Sequence, residues 1–284
     1  MEEQVASKIL DDNVDFSIQE MAKMGKILIC RVGTSAPAYI RYDVCNFTKA
    51  KAFGTIGRGH GEWIKPHLIP TSSDSYEIWD NGRNRIFQYR NDTLVGDVEL
   101  KTKLPANNPM LINREYGGFS CIEQDKISLV VYDAKTYRST DEYCFEDEKQ
   151  KGNAIYQDFV WNGEGNTIIL AHLYKKEFHI MDLDCYGVIS HCVKYACDYE
   201  FNPEEHVYYS DARIHNGLIY LLCQQNVNPE TGDGYSEIDI YDTTGKSVKK
   251  IVLDVVVPLF EVFDDNVWLA DIDGNIRICP NKAI

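Results

Sequence analysis

One short pattern recurs six times along the chain. Alternating apolar residues end in an aromatic or bulky side chain, often followed by Asp. It reads Tyr39-Ile40-Arg41-Tyr42-Asp43, then Ile86-Phe87-Gln88-Tyr89-Arg90, then Leu129-Val130-Val131-Tyr132-Asp133. It returns as Phe178-His179-Ile180-Met181-Asp182 and Ile238-Asp239-Ile240-Tyr241-Asp242, and ends as a degenerate Ile276-Arg277-Ile278-Cys279-Pro280. The anchors at 42, 89, 132, 181, 241 and 279 lie 47, 43, 49, 60 and 38 residues apart. Helical periodicity is nearly absent, and Gly, Asn and Asp turns separate short β-rich runs. Repeats of roughly 40–50 residues built from such runs are four-stranded propeller blades. The expected fold is therefore all-β, a six-bladed β-propeller of antiparallel blades, spanning residues 1–284 as one domain.

The anchor falls on the third strand of each blade. In the second blade, 76–80 is strand two, Asn81-Gly82-Arg83-Asn84 is the turn, 85–89 is strand three and 93–100 is strand four. The fifth blade repeats this, with an insertion at 224–234 that explains the 60-residue spacing. The last copy ends soon after its third strand, so its fourth strand must come from elsewhere. An N-terminal arm over 1–12 supplies it, near Val5 to Leu10, before the first blade begins around Phe16. Closing the ring with both ends of the chain removes an exposed sheet edge. Trp79-Asp80 has no upstream Gly-His at blade spacing and does not mark a WD40 repeat.

After the first blade stands Phe53-Gly54-Thr55-Ile56-Gly57-Arg58-Gly59-His60-Gly61-Glu62-Trp63. This segment is similar to one found at the same place in TolB-like six-bladed propellers of Bacteroides-type bacteria. There it usually reads Gly-x-Gly-Pro-Gly-Glu-aromatic, and here His60 replaces the proline. The stretch 80–89 also resembles that family's second blade. The resemblance implies the same ring. Many members look exported or lipid-anchored, and their biochemical role is largely unassigned.

Charge and cysteine usage exclude several classes. Lys+Arg is 29 and Asp+Glu 44, a formal net charge of −15, without a local basic patch. Such a chain repels nucleic acid and anionic lipid. No run approaches the roughly 18 apolar residues of a membrane helix, so no membrane insertion is expected. The first residues show no basic start, apolar stretch or cleavage site. The nine cysteines form no CxxC, and most lie in apolar runs. Together these read as a cytoplasmic chain, with a periplasmic or cell-envelope location as the alternative if an export signal was removed.

Catalytic signatures are missing: there is no Gly-x-Ser-x-Gly elbow and no HExxH. His191 and Cys192 are strand neighbours that face opposite ways, so the Cys185, Cys192, Cys197 group does not read as a zinc site. Two functions remain, with a purely structural role, needing neither ligand nor metal, open beside them. The first is a non-enzymatic binding module, without cofactor, for a protein, a peptide or a small polar ligand. It uses the channel mouth and top-face loops, with Arg58, His60, Glu62, Trp63, Arg83, Tyr174 and Lys175 as contacts. Aromatics with Arg are typical of binding hot spots. The Gly-rich 57–63 segment has a competing, purely structural reading, an inter-blade crossing wedged by Trp63. The second function is a metal-dependent hydrolase or lactonase. It holds a divalent cation such as calcium in the central channel between Asp158, Asp211 and Glu261, one from each of three blades.

Overall fold

The computed structural model describes residues 2–11, 17–100, 106–123, 126–144, 158–197, 207–225, 228, 231 and 234–281. Two N-terminal strands, β1 (Glu2–Val5) and β2 (Lys8–Asp11), precede the first blade. Blade 1 is β3 (Ile18–Met24), β4 (Ile27–Val32), β5 (Tyr39–Asp43) and β6 (Thr48–Phe53). Blade 2 is β7 (Pro66–Pro70), β8 (Ser75–Asp80), β9 (Arg85–Arg90) and β10 (Thr93–Glu99). Blade 3 is β11 (Ala106–Leu111), β12 (Tyr116–Glu123), β13 (Lys126–Asp133) and β14 (Ser139–Cys144). Blade 4 is β15 (Phe159–Glu164), β16 (Thr167–His172), β17 (Glu177–Leu183) and β18 (Ile189–Ala196). Blade 5 is β19 (Asp211–His215), β20 (Leu218–Gln225), β21 (Tyr235–Asp242) and β22 (Ser247–Leu253). Blade 6 is β23 (Leu259–Val262), β24 (Asn266–Ala270) and β25 (Ile276–Pro280), completed by β2.

All six anchors sit on third strands: Tyr42 on β5, Tyr89 on β9, Tyr132 on β13, Met181 on β17, Tyr241 on β21 and Cys279 on β25. Second strands pack on both faces, which is why they read as unbroken apolar runs. In β20, Tyr220 and Leu222 face blade 6 while Ile219, Leu221 and Cys223 face blade 4. The buried core is accordingly divided into six clusters, one at each contact between neighbouring blades, including that between blades 6 and 1. Burying a large apolar side chain contributes about 1.5–3 kcal/mol, so each seam is held mainly by this term.

The N-terminal arm closes the ring more elaborately than the sequence suggests. β2 pairs antiparallel with β25, Lys8 opposite Ile278, and so supplies the missing fourth strand. β1 instead adds a fifth strand to blade 5, parallel to β22, with Val5 opposite Leu253. Lys249 binds Glu3 at 2.5 Å, and Ser7 donates to Asp254 at 2.8 Å. One short arm thereby ties blade 5 to blade 6. The insertion at 224–234 lies partly outside the described residues, and β20 and β21 flank it as long strands. Among the described residues no helix is long and apolar enough to cross a membrane.

Candidate functional site

The six innermost strands surround a cavity of about 420 Å³ on the ring axis. Its carboxylates are consumed by the chain's own donors. Arg213 on β19 reaches Asp211 at 2.5 Å through Nη1 and Glu261 at 3.2 Å through Nε. Asp211 also accepts from the backbone N–H of Ala212 and Phe260, and Glu261 from that of Val262. All three side chains are buried, at 6, 8 and 8 % exposure for Asp211, Arg213 and Glu261. Burial raises the Asp211 carboxyl above its ordinary value against the opposing pull of Arg213. Glu20 on β3 is similarly occupied by Arg31 at 3.2 Å and by the backbone N–H of Leu68 at 2.9 Å. Lys23, toward the end of β3, lies 3.2 Å from Nδ1 of His215 and donates to the Val262 carbonyl. Nε2 of His215 is 2.9 Å from Asp264.

Donors remain. Trp161 lines the cavity, and its buried Nε1 has no hydrogen-bond partner among the described residues. Asn162, beside it, accepts from the Ile214 backbone N–H and, among the described residues, spends its amide nitrogen only on the Met110 sulfur at 3.5 Å.

The structure brings together two of the three axial metal candidates. Asp211 and Glu261 both line the cavity, but the guanidinium of Arg213 stands between them. Asp158 is half-buried just ahead of β15 and caps the Phe159 N–H at 2.8 Å; it is not part of the cavity lining. Burial raises its carboxyl above the usual range.

The surface candidates fall into two groups. Arg58 and His60 are exposed in the crossing from blade 1 to blade 2. Glu62 folds back to accept the Gly59 N–H at 2.6 Å. Trp63 is only 5 % exposed and packs edge-on against Tyr39 and Tyr89, with ring centroids 5.9 and 6.1 Å away. Gly54 has φ +79°, and a Cβ there would sit 2.3 Å from the Trp63 ring, so only glycine fits. Arg83 joins this group by donating to the Gly59 carbonyl at 2.8 Å. Tyr174 and Lys175 stand apart, in the β16–β17 turn of blade 4; Tyr174 is half-buried and Lys175 only 5 % exposed.

At the foot of that turn is a group that no motif in the sequence marks. His172, Glu177 and His179 offer ligand atoms that all lie within 4.8 Å of one another. The hairpin register explains it. Leu170 pairs with His179 and Ala171 with Phe178, which sets His172 across from Glu177. Side chains two apart share a face, so all three point to blade 3, beside Leu170 and Met181 of that seam. The two imidazole rings are 5.4 Å apart. Cys192 of β18 lies on the same face, its sulfur 3.7 Å from His179 Nδ1 and 3.3 Å from the Tyr143 hydroxyl of blade 3. Lys194 reaches Glu177 at 2.7 Å from a half-exposed position. Burial pushes the His179 imidazole down to about 4; Lys194 and Lys175 act the same way and Glu177 opposes them. His191, by contrast, points toward blade 5 and lines a groove with Tyr195 and Thr244, opposite in facing to Cys192. The usable signal was His-x4-Glu-x-His spanning a four-residue turn, legible only once the strand register is fixed.

No protein-family model matches the chain, and no curated protein matches it by sequence. Solved structures match it by fold. Regucalcin, a calcium-binding protein from Agrobacterium tumefaciens, superposes with a TM-score of 0.63 at 10% identity, covering 98% of this chain and 95% of that one. A member of the duf4221 family from Bacteroides vulgatus gives 0.61 at 10% identity, over 98% and 96% of the two chains. A protein of Bacteroides fragilis named as exported gives 0.54 at 9% identity, over 98% of each. At these identities the likeness is one of fold: the chain is a six-bladed propeller of a kind found in bacterial proteins. The comparison corrects the cytoplasmic placement. A full-length fold neighbour is named as exported, so the character of the first residues does not assign the chain to the cytoplasm.

Proposed function

We propose that this propeller is a ligand-binding scaffold whose axis takes a small, acceptor-rich molecule of the carboxylate class. The supporting observation is the imbalance inside the axial cavity. Its carboxylates are saturated by Arg213, Arg31 and backbone N–H groups, while Trp161, on the cavity lining and packed into the seam of blades 3 and 4, keeps a buried indole N–H with no acceptor among the described residues. A buried donor without a partner costs about 1–3 kcal/mol, which a ligand acceptor brought to it from the cavity would recover. Among the partner classes open to such a ring, a small ligand is favoured over a protein. Trp63, the aromatic anchor expected at the contact face, is committed to packing. The TolB-like character of residues 53–63 belongs to this proposal and concerns the scaffold. The test is titration with acetate, succinate and citrate, read by tryptophan fluorescence and melting temperature. Binding that disappears in Trp161→Phe supports the reading; no response to any of them in the wild-type chain overturns it.

A metal-dependent function is the second reading, and it has a specific observation behind it. Two imidazoles and a carboxylate converge in blade 4. The ring also shares its fold with a calcium-binding regucalcin. A lactonase-like ion on the axis has less in its favour, because Arg213 already bonds both Asp211 and Glu261 and stands between them.

A further inference from the structure

We infer that the seam between blades 3 and 4 contains a binding site for a zinc-class divalent ion, with His172, Glu177 and His179 as its protein ligands. This deepens the metal-dependent reading and rests on it, while moving the ion off the ring axis.

The argument is one of donor chemistry and placement. Two imidazole nitrogens with one carboxylate oxygen form a three-ligand set that suits Zn²⁺ and leaves a fourth position open. The same set is poor for Ca²⁺, which takes six to eight oxygens. The three donors come from the two adjoining strands of one hairpin and share one face, so the ladder fixes their spacing. Their mutual separation of at most 4.8 Å needs only side-chain rotation to close around an ion. Apolar side chains of the seam, Leu170 and Met181, support the donors from below. Glu177 already holds a cation, the Lys194 ammonium, and that side chain is 53% exposed. It can swing into water when a metal ion takes its place. Cys192 places a softer donor 3.7 Å from His179, which favours zinc over harder ions at the open position.

The experiment uses the full chain, stripped with chelator and titrated with ZnCl₂, CaCl₂ and CoCl₂ by calorimetry and elemental analysis. The expected result is one tightly bound zinc, no calcium bound at the same site, and a rise in melting temperature reversed by EDTA. Glu177→Gln and His179→Gln weaken zinc by at least the roughly 10–100-fold that loss of even an outer-shell partner costs. Cobalt keeps the test independent of how the variants fold. In the wild-type chain it gives the visible bands of a low-coordinate site and paramagnetically shifted, exchangeable imidazole protons from two histidines. Zinc that binds equally well to folded Glu177→Gln and His179→Gln, or cobalt without shifted imidazole protons, overturns this site and leaves a metal elsewhere in the ring. If neither zinc nor cobalt binds the wild-type chain, the site and the metal-dependent reading fall together.

Discussion

Two of the places where the ring buries carboxylates treat them differently. On the axis, Asp211 and Glu261 share a guanidinium that belongs to the fold: Arg213 is 8 % exposed and bonds both. At the seam of blades 3 and 4, Glu177 is paired with Lys194, whose side chain is half in water, and two imidazoles stand beside it. An axial carboxylate pair looks like a metal site in a linear sequence, yet its cation is built in. The seam looks like scattered histidines, yet its cation, the Lys194 ammonium, sits on a side chain 53% exposed to water. What distinguishes a structural charge cluster from a binding site is whether the counter-charge can leave.

The comparison can be broken most forcefully on the axis. Arg213→Leu leaves Asp211 and Glu261 buried without their cation, and removing one partner of a buried ion pair costs about 3–5 kcal/mol. Chemical denaturation should show that loss. If the carboxylates then take a divalent ion, calcium should restore part of the stability in the variant and none in the wild type. A variant of wild-type stability would mean that Arg213 is not the counter-ion that holds this cluster.

A third charge group supplies a milder test, through pH. Asp92 accepts two bonds from Arg41, at 2.5 and 3.1 Å, and one from Lys51 at 2.8 Å, across the seam of blades 1 and 2. Burial raises its pKa, but the bonds from Lys51 and Arg41 outweigh burial and leave it below the ordinary 3.8. A depressed carboxyl stabilises the fold fully above its unfolded value, and that contribution is lost as pH falls through the folded one. Stability measured by denaturant from pH 5 downward should therefore fall below about 3.8, and Asp92→Asn should flatten that part of the curve. An unchanged acid limb in the variant would remove Asp92 from the explanation.

The ring was legible because its repeat is carried by local alternation. Tyr42, Tyr89, Tyr132, Met181, Tyr241 and Cys279 could be aligned without any knowledge of contacts, and they fall on equivalent strands. The closing strand was inferable from a missing member of blade 6. The parallel addition of β1 to blade 5 was not, since nothing in Glu2–Val5 names β22 as its partner. The sites were harder, because side-chain meetings depend on register. Asp211 and Glu261 stand at or near the starts of innermost strands, which the sequence shows, but nothing in the sequence marks Arg213, two residues after Asp211 and on the same face, as their shared counter-ion. His172 and His179 match no motif in the sequence, because the spacings that mark metal sites on helices do not describe a hairpin. The pairing of Leu170 with His179 turns a separation of seven in sequence into neighbours on one face. The faces of His191 and Cys192, which needed only strand alternation, were readable in advance.

The smallest stability effect belongs to the seam, and it is the sharpest discriminator between the two regions. Lys194→Ala removes a half-exposed ion-pair partner, which costs no more than about 0–1 kcal/mol because solvent screens the charge. Removal of Arg213 should cost several times that. The metal affinities should move in opposite senses from what stability alone would suggest. With Lys194 gone, one cation that competes for Glu177 is removed, and with it one positive charge from beside His172 and His179. Zinc should then bind more tightly than to the wild type, while the melting temperature of the metal-free chain barely changes. Calorimetry with ZnCl₂ on the two proteins side by side measures both. Weaker zinc binding in Lys194→Ala would mean that this lysine helps to build the site, and that the seam, like the axis, holds its counter-charge as part of the fold.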